Sequence, residues 1–517
     1  MPKAKTKTAG RVKTVTIPAN RVEGDLEIQA DFTGRTVTDA RTCGTMFRGL
    51  ENIMVGRDAM DGLVLTSRIC GLCSVSHLTA AVGALDAIAG AEVPDNARRV
   101  RNLCLMTEHV QSDIRQSFLM FAVDFANQAH ARHSLYQEAL RRYEPFKGET
   151  ILEVIRETKR AVEIIAILGG QWPHSAFMVP GGVARNPSGG DVLQCGNLLA
   201  QYRSWYEKRI LGCSCARWAE VRSASDLDAW LDESGTQRDG DLGFFIRFAR
   251  EAGLDKIGGG HGNFLSFGSI DLPARSAIKA KDGRLIPAGF ARGTKVSPFD
   301  KGLITEHVAY SWYKEYQGGK HPSEGETRPY ATGAEGKKYS WTKAPRYDGL
   351  PAETGPLAEK IVGRDPLFTD LVRKHGPSAF VRQLARIVRP ASLMPTMETW
   401  LRELAGDDQG YYTSPGSLED GEGHGLIHAA RGALGHWVKV SKGKIRHYQV
   451  ITPTSWHASP RDSDGVRGPF EEALIGVEVR KTDNPVELGH VIRSFDPCMV
   501  CSVHALRGGR SRARIRL

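Results

Sequence analysis

Between residues 13 and 43 polar and apolar side chains alternate with a period of two, and the run is broken at Asp31-Phe-Thr-Gly34-Arg35. Successive strand residues face opposite sides, so this pattern predicts two strands of a small sheet joined by a turn. From His77 the chain becomes rich in alanine and leucine. The stretches 77–90, 97–130, 148–168, 189–221 and 377–404 carry apolar residues at helical spacing, with Gly or Pro near their ends. They predict a central helical bundle. Residues 255–300 and 318–356 are rich in Gly, Pro and charge and read as extended loops or short strands around it. Further on, the pattern from His436 to Ile451 predicts a hairpin turning at Gly443, which would deliver Pro453 and Thr454 towards a site. Gly421-Glu-Gly423-His-Gly425 lacks the preceding strand and downstream acidic residue of a dinucleotide loop, and is read as a loop leading to Arg431. The expected fold is mainly α with small peripheral β-sheets. One unit of residues 1–504 would comprise an N-terminal sheet (about 13–45), the bundle (about 77–404) and a C-terminal segment (about 420–504), followed by a tail, 505–517.

Composition changes this picture only at its edges. The chain has 517 residues, 41% hydrophobic and 25% charged, and no run of 18 apolar residues, so any membrane contact is expected through a partner. The net charge of +10 is concentrated at the end, where the segment after Ala505 alone holds five arginines. Without a basic stripe interleaved with aromatic residues, nucleic-acid binding is excluded as the main role. Nine cysteines are too few for a disulfide scaffold, and the start Met1-Pro-Lys-Ala-Lys-Thr-Lys is polar, so a reducing, cytoplasmic setting is expected.

The chemistry is concentrated in two CxxC motifs at opposite ends, Cys70-Gly-Leu-Cys73 and Cys498-Met-Val-Cys501, each followed by a histidine, His77 and His504. Two residues between cysteines let both thiolates reach one metal ion. Spacing alone fits a structural zinc site equally well, but zinc modules keep their halves close together. Here 425 positions separate Cys73 from Cys498, which places the site at the centre of a large fold. Cys43, Cys104, Cys195, Cys213 and Cys215 read as buried small apolar residues.

The residues around these motifs carry a resemblance. Arg21-Val-Glu23-Gly24, Phe47-Arg-Gly-Leu-Glu51, the first CxxC, Ala430-Arg431-Gly-Ala-Leu-Gly-His436-Trp and Asp496-Pro-Cys498-x-x-Cys501-x-x-His504 resemble the large subunit of nickel-iron hydrogenases. Trp172-Pro-His174, Ser311-Trp-Tyr313, the segment from Tyr339 to Gly349 and Glu353-Thr-Gly-Pro-Leu-Ala358 extend the likeness over nearly the whole chain, and the branch it resembles is the cytoplasmic uptake and sensory one.

The resemblance implies that all four cysteines bind nickel, with Cys73 and Cys501 bridging to an iron that carries CO and CN⁻, a Ni-Fe(CN)2CO centre. H2 would be cleaved heterolytically, the proton passing to Cys498 or Arg431 and on through Glu23, a buried carboxyl suited to exchange near neutrality. Pairing of Glu23 with Arg21 is the structural alternative. Arg431 would lie above the open metal position. Ala430 stands where the family usually has proline. Pro453 and Thr454 match the positions that hydrogen-bond a cyanide, and Asp113 matches the family's canopy carboxylate, unless it only faces Arg115 or solvent. His77 would hydrogen-bond a cysteine sulfur. Glu51, His504 and the carbonyl of Val450 match the ligands of a Mg2+ ion. Leu72 and Met120 would line a gas channel.

As to partners, the resemblance implies an iron-sulfur small subunit in a heterodimer that assembles further, together with maturation chaperones and an endopeptidase that cuts His504-Ala505 after nickel insertion. The favoured activity is H2 uptake. An H2-sensing subunit is the alternative, and a metal-free scaffold or a structural zinc protein the remote ones.

Overall fold

The computed structural model describes residues 12–333, 335–406 and 410–502. The alternating N-terminal stretch forms not two but three antiparallel strands, β1 (Val12–Ala19), β2 (Leu26–Thr33) and β3 (Thr36–Gly44), with Gly34 in the turn between the last two. Their inward residues, including Ile17, Leu26, Ile28 and Val37, form one core with Phe470, Val479, Val491 and Phe495 near the C-terminus. The two ends of the chain are therefore packed together by apolar burial before any metal is considered.

The bundle is built on three long helices, α1 (Ser74–Ala89), α2 (Asp95–Arg115) and α3 (Gly189–Trp205). The predicted stretch 97–130 is helical only to Arg115 in the α sense; it widens into a π-type turn at Gln116–Phe121 and then tightens into short 3-10 turns. Residues 263–297, expected as loops or short strands, instead fold into a sheet of β4 (Asn263–Asp271), β5 (Arg284–Arg292) and β6 (Lys295–Ser297). The helix α4 (Ala379–Ala405) runs through the core and carries Arg382, Arg386 and Arg389, all buried.

A third sheet places the site. It contains β7 (Gly421–Ala429), β8 (Gly432–Ser441) and β9 (Lys444–Ile451). The hairpin turns at Gly443 as expected, but the glycine run at 421–425 is a strand and not a loop. Its glycines permit close packing: a Cβ on Gly425 would lie 1.9 Å from the Ala80 carbonyl of α1. The strand β9 feeds the short helix α5 (Pro453–His457), and the chain ends through α6 (Val486–Ser494) and α7 (Met499–Ser502).

Candidate metal centre

Cys70 lies in the bend after the helix Asp61–Thr66, Cys73 caps the N-terminus of α1, and Cys498 immediately precedes α7. All three are buried cysteines outside any disulfide. Their sulfur atoms lie within 4.8 Å of one another, with 3.4 Å between Cys70 and Cys498. His504 and the side chain of Cys501 fall outside the described part of the chain. Cys73 stands at the positive end of α1, and Arg431 lies close enough to all three sulfurs for their charge to act on it.

Arg431 occupies the turn between β7 and β8, and its Nε lies 3.1 Å from Asp496 Oδ1. Burial opposes its charge, yet Asp496 and the thiols of Cys498, Cys73 and Cys70 hold it well above the ordinary arginine range. Its Nη1 is buried without a hydrogen-bond partner among the described residues, a donor left for something in the site. The next residue must be glycine: Gly432 has φ +125°, and a Cβ there would lie 2.1 Å from Thr354 Oγ1.

Glu23 is half-buried beside the same thiols. Burial raises its carboxyl pKa and so does Cys70, while Arg431 pulls it down. Its main-chain carbonyl accepts from the N–H groups of Met499, at 2.6 Å, and Val500, at 3.3 Å. Gly24, φ +85°, permits this, since a Cβ would lie 2.9 Å from the Val500 nitrogen. Arg21 is not its partner; that guanidinium reaches the Asp124 carboxylate and the Met120 carbonyl.

Asp113 faces neither Arg115 nor solvent. It is fully buried and takes two 2.8 Å hydrogen bonds from Arg389, with Arg386 at 3.5 Å. Arg386 also reaches Asp496 at 3.2 Å, and Arg389 donates to the Ala430 carbonyl at 2.8 Å. Asp113 thus meets Arg431 through one arginine and one carboxylate. Burial pushes it up to about 6, against the pull of Arg389 and Arg386.

The hydroxyl of Thr454, beside buried Pro453, accepts the Cys498 N–H at 2.9 Å. The His77 Nδ1 lies 3.1 Å from His436 Nε2, and His436 Nδ1 lies 2.9 Å from the Tyr448 hydroxyl. Burial brings His77 down to about 4, so it is a neutral imidazole.

Residues up to 399 positions apart in sequence also line a separate pocket of about 30 Å³, room for one ion or water, between Glu51, Glu306, Lys343 and Val450. Glu51 accepts the Val450 N–H at 2.9 Å and the Thr327 hydroxyl. Val450 lines this pocket beside the N–H that it donates to Glu51. The Lys343 ammonium lies 3.7 Å from Glu51 and 3.8 Å from Glu306.

The sequence reading missed Glu108, Arg48 and Lys343, and gave Asp496 no role although it stands two residues before Cys498. Glu108, on α2, accepts from the N–H groups of Val75 (2.8 Å) and Ser76 (3.0 Å) and from the Ser76 hydroxyl, filling the open first turn of α1 behind Cys73. Burial pushes it up to about 7 in spite of those hydrogen bonds. Its helical spacing marked it only as a polar residue on a core face.

A family model described as nickel-dependent hydrogenase matches residues 48–144 and 246–504. The chain belongs to this family, as a catalytic large subunit. It is 32% identical to the periplasmic [NiFeSe] hydrogenase large subunit of Desulfomicrobium baculatum, over 96% of each chain. It is 27% identical to the uptake hydrogenase large subunit of Rhodobacter capsulatus, over 96% of this chain and 95% of the relative. Among solved structures, the Ni-Fe-Se hydrogenase of D. vulgaris Hildenborough in the reduced state superposes with a TM-score of 0.79, at 30% identity, covering 96% of this chain and 100% of the other. The donor set fits the family's metal: soft sulfur donors converge in a buried cluster beside a guanidinium with a spare donor.

Proposed function

We propose that this subunit oxidises H2 at a nickel-iron centre held by Cys70, Cys73, Cys498 and Cys501, and passes the electrons to an iron-sulfur small subunit. The observation that carries the reading is the convergence of three buried thiols within 4.8 Å beneath Arg431. When bound, the centre supplies the site at which H2 is split. The protein holds the proton: the Cys498 thiolate accepts it, Arg431, kept charged by Asp496 and the thiols, stabilises the negative charge beside it, and Glu23, whose carboxyl is raised by burial, takes it onward. Asp496 orients Arg431, and Arg386, Arg389 and Asp113 fix the backbone that bears it. Thr454 seats Cys498, and with Pro453 it lies where the cyanide ligands would be held. Leu72 and Met120 belong to the same reading as channel residues.

Glu51, the Val450 carbonyl and His504 would hold Mg2+, with Glu306 and Lys343 balancing the charge of the pocket. Its hard oxygen donors fit that ion. Among the described residues the thiol group is the one cysteine-containing cluster of metal-site geometry. That supports a relay carried by the partner subunit, for which exposed Ile53, Val55, Met60 and Val64, between Glu51 and Cys70, offer an apolar face. Residues 1–504 form one catalytic unit in this reading, and the tail 505–517 is removed on maturation. No described helix is long and apolar enough to cross a membrane. A cytoplasmic site of action completes the reading; since one relative is named periplasmic, cell fractionation decides.

The test is an infrared spectrum of the purified complex before and after H2. One CO and two CN⁻ bands that shift with H2 support the reading. An empty window in matured protein that contains zinc overturns it. A complex that binds H2 spectroscopically but does not turn over with electron acceptors supports the sensor instead.

A further inference from the structure

The segment Phe47–Glu51 lies against both halves of the metal centre. Phe47 is stacked on Trp341 with ring centroids 4.9 Å apart, and Gly49, φ +64°, turns the chain directly into the helix Leu50–Met54. Arg48 is held between these anchors. Its Nη2 donates at 2.5 Å to the carbonyl of Ile69, the residue before Cys70, and at 2.5 Å to the carbonyl of Val500, between Cys498 and Cys501. Its Nη1 adds the Arg68 carbonyl at 3.4 Å. The acceptors lie 21 and 452 positions away in sequence, one on each cysteine half-site.

We propose that Arg48 is a positioning residue that ties the two cysteine half-sites together and retains the metal between them. The guanidinium suits this task because it is planar and its donors stand at fixed angles, so two carbonyls on one nitrogen have their separation fixed. A lysine could reach the same carbonyls but would not fix the angle. The carbonyls it takes lie next to metal-bearing residues on backbone that leaves regular structure on one side and enters the four-residue helix α7 on the other. Neither lies in a named strand; beyond Arg48, the second is held by the short bridge to Glu23 and by Thr454. A cation here would also offset the negative charge of the clustered cysteine sulfurs once they bind metal as thiolates. A backbone movement that carried Cys498 and Val500 together away from Cys70 would have to break the Arg48–Val500 bond.

This inference rests on the four-cysteine nickel reading, and its test separates the two. The full-length chain is purified with its small subunit as wild type, R48Q and R48K. Nickel remaining on the protein is followed during an EDTA challenge, alongside the CO and CN⁻ stretching bands and the thermal melting of the complex. R48Q is expected to lose nickel about tenfold faster than wild type, the scale of a lost charge-assisted hydrogen bond. Its CN⁻ bands should shift or broaden. R48K is expected to fall between the two. Equal nickel loss by R48Q and wild type overturns the role of Arg48. So does a pattern in which R48K is as leaky as R48Q and both melt equally early, since Arg48 would then support only the fold. If R48Q yields no complex, R48K against wild type carries the test, faster loss supporting and equal loss overturning it. A wild type without nickel overturns the metal reading itself.

Discussion

The two cysteine half-sites are alike in sequence but are supported in different ways. Cys73 begins a helix of sixteen residues whose first turn is closed by Glu108 and whose body lies in the main core against β7 and α2. Cys498 follows an irregular stretch and is seated by single bonds: its own N–H to Thr454, the next two N–H groups to Glu23, and the Val500 carbonyl to Arg48. The first half can form with the bundle. The second is held by bonds to segments at residues 23, 48 and 454, so its position depends on contacts far away in the sequence.

The comparison can be broken most severely at the ligands. Cys70→Ser and Cys498→Ser should both abolish H2 uptake and nickel content, measured by elemental analysis. Because only the second half is held by single bonds, the Cys498 variant should also become more sensitive to proteolysis near its C-terminus. Arg431→Lys is the next largest change: nickel should remain while kcat falls by about 10²–10³, the scale of removing one preorganised electrostatic donor. A variant that loses nickel as well would show that Arg431 builds the site and does not act within it.

On the first half, Glu108→Gln should lower stability by about 1–3 kcal/mol in chemical unfolding, since one amide oxygen must then serve three donors. Its pH dependence has a definite sign. A carboxyl near 7 when folded, against 4.5 ordinarily, keeps its proton in the native state across that interval. The native state then binds more protons than the unfolded one, so the contribution of Glu108 is full below about 4.5 and fades as the pH rises towards 7. The Gln variant should show a smaller decline than wild type, the remainder coming from Asp113, Glu306 and Glu471, which burial also raises. Thr454→Val is the smallest change, about 1 kcal/mol, from loss of the Cys498 N–H acceptor. It should speed nickel loss without altering the melting of the bundle.

Much of this was legible in the sequence because it is local. The helical stretches, the turn at Gly34 and the hairpin at Gly443 follow from periodicity and turn chemistry, and both CxxC motifs announce themselves. What was not legible depends on long-range contact. The glycines at 421–425 looked like loop punctuation, yet they are strand residues stripped of side chains so that α1 can lie on them. Arg21 was a natural partner for Glu23 by proximity along the chain, but Asp124, over a hundred positions away, takes it. Asp113 carries no sign in its own helix that Arg386 and Arg389 will enclose it. Glu108 is one polar residue among several on α2, and only the open end of α1 gives it a purpose.

One contact joins two halves of the chemistry. The carbonyl of Glu23 accepts the amides that directly follow Cys498, so the carboxyl that would carry the proton and the sulfur that would hold the metal share a single stretch of paired backbone. These bonds run from main chain to main chain and do not use the side chain of either Glu23 or Cys498. The distance from acid to ligand is therefore inherited with the fold, and a chain that has not closed lacks both together: it would have no ligand with which to start the reaction and no acid placed to misdirect a proton.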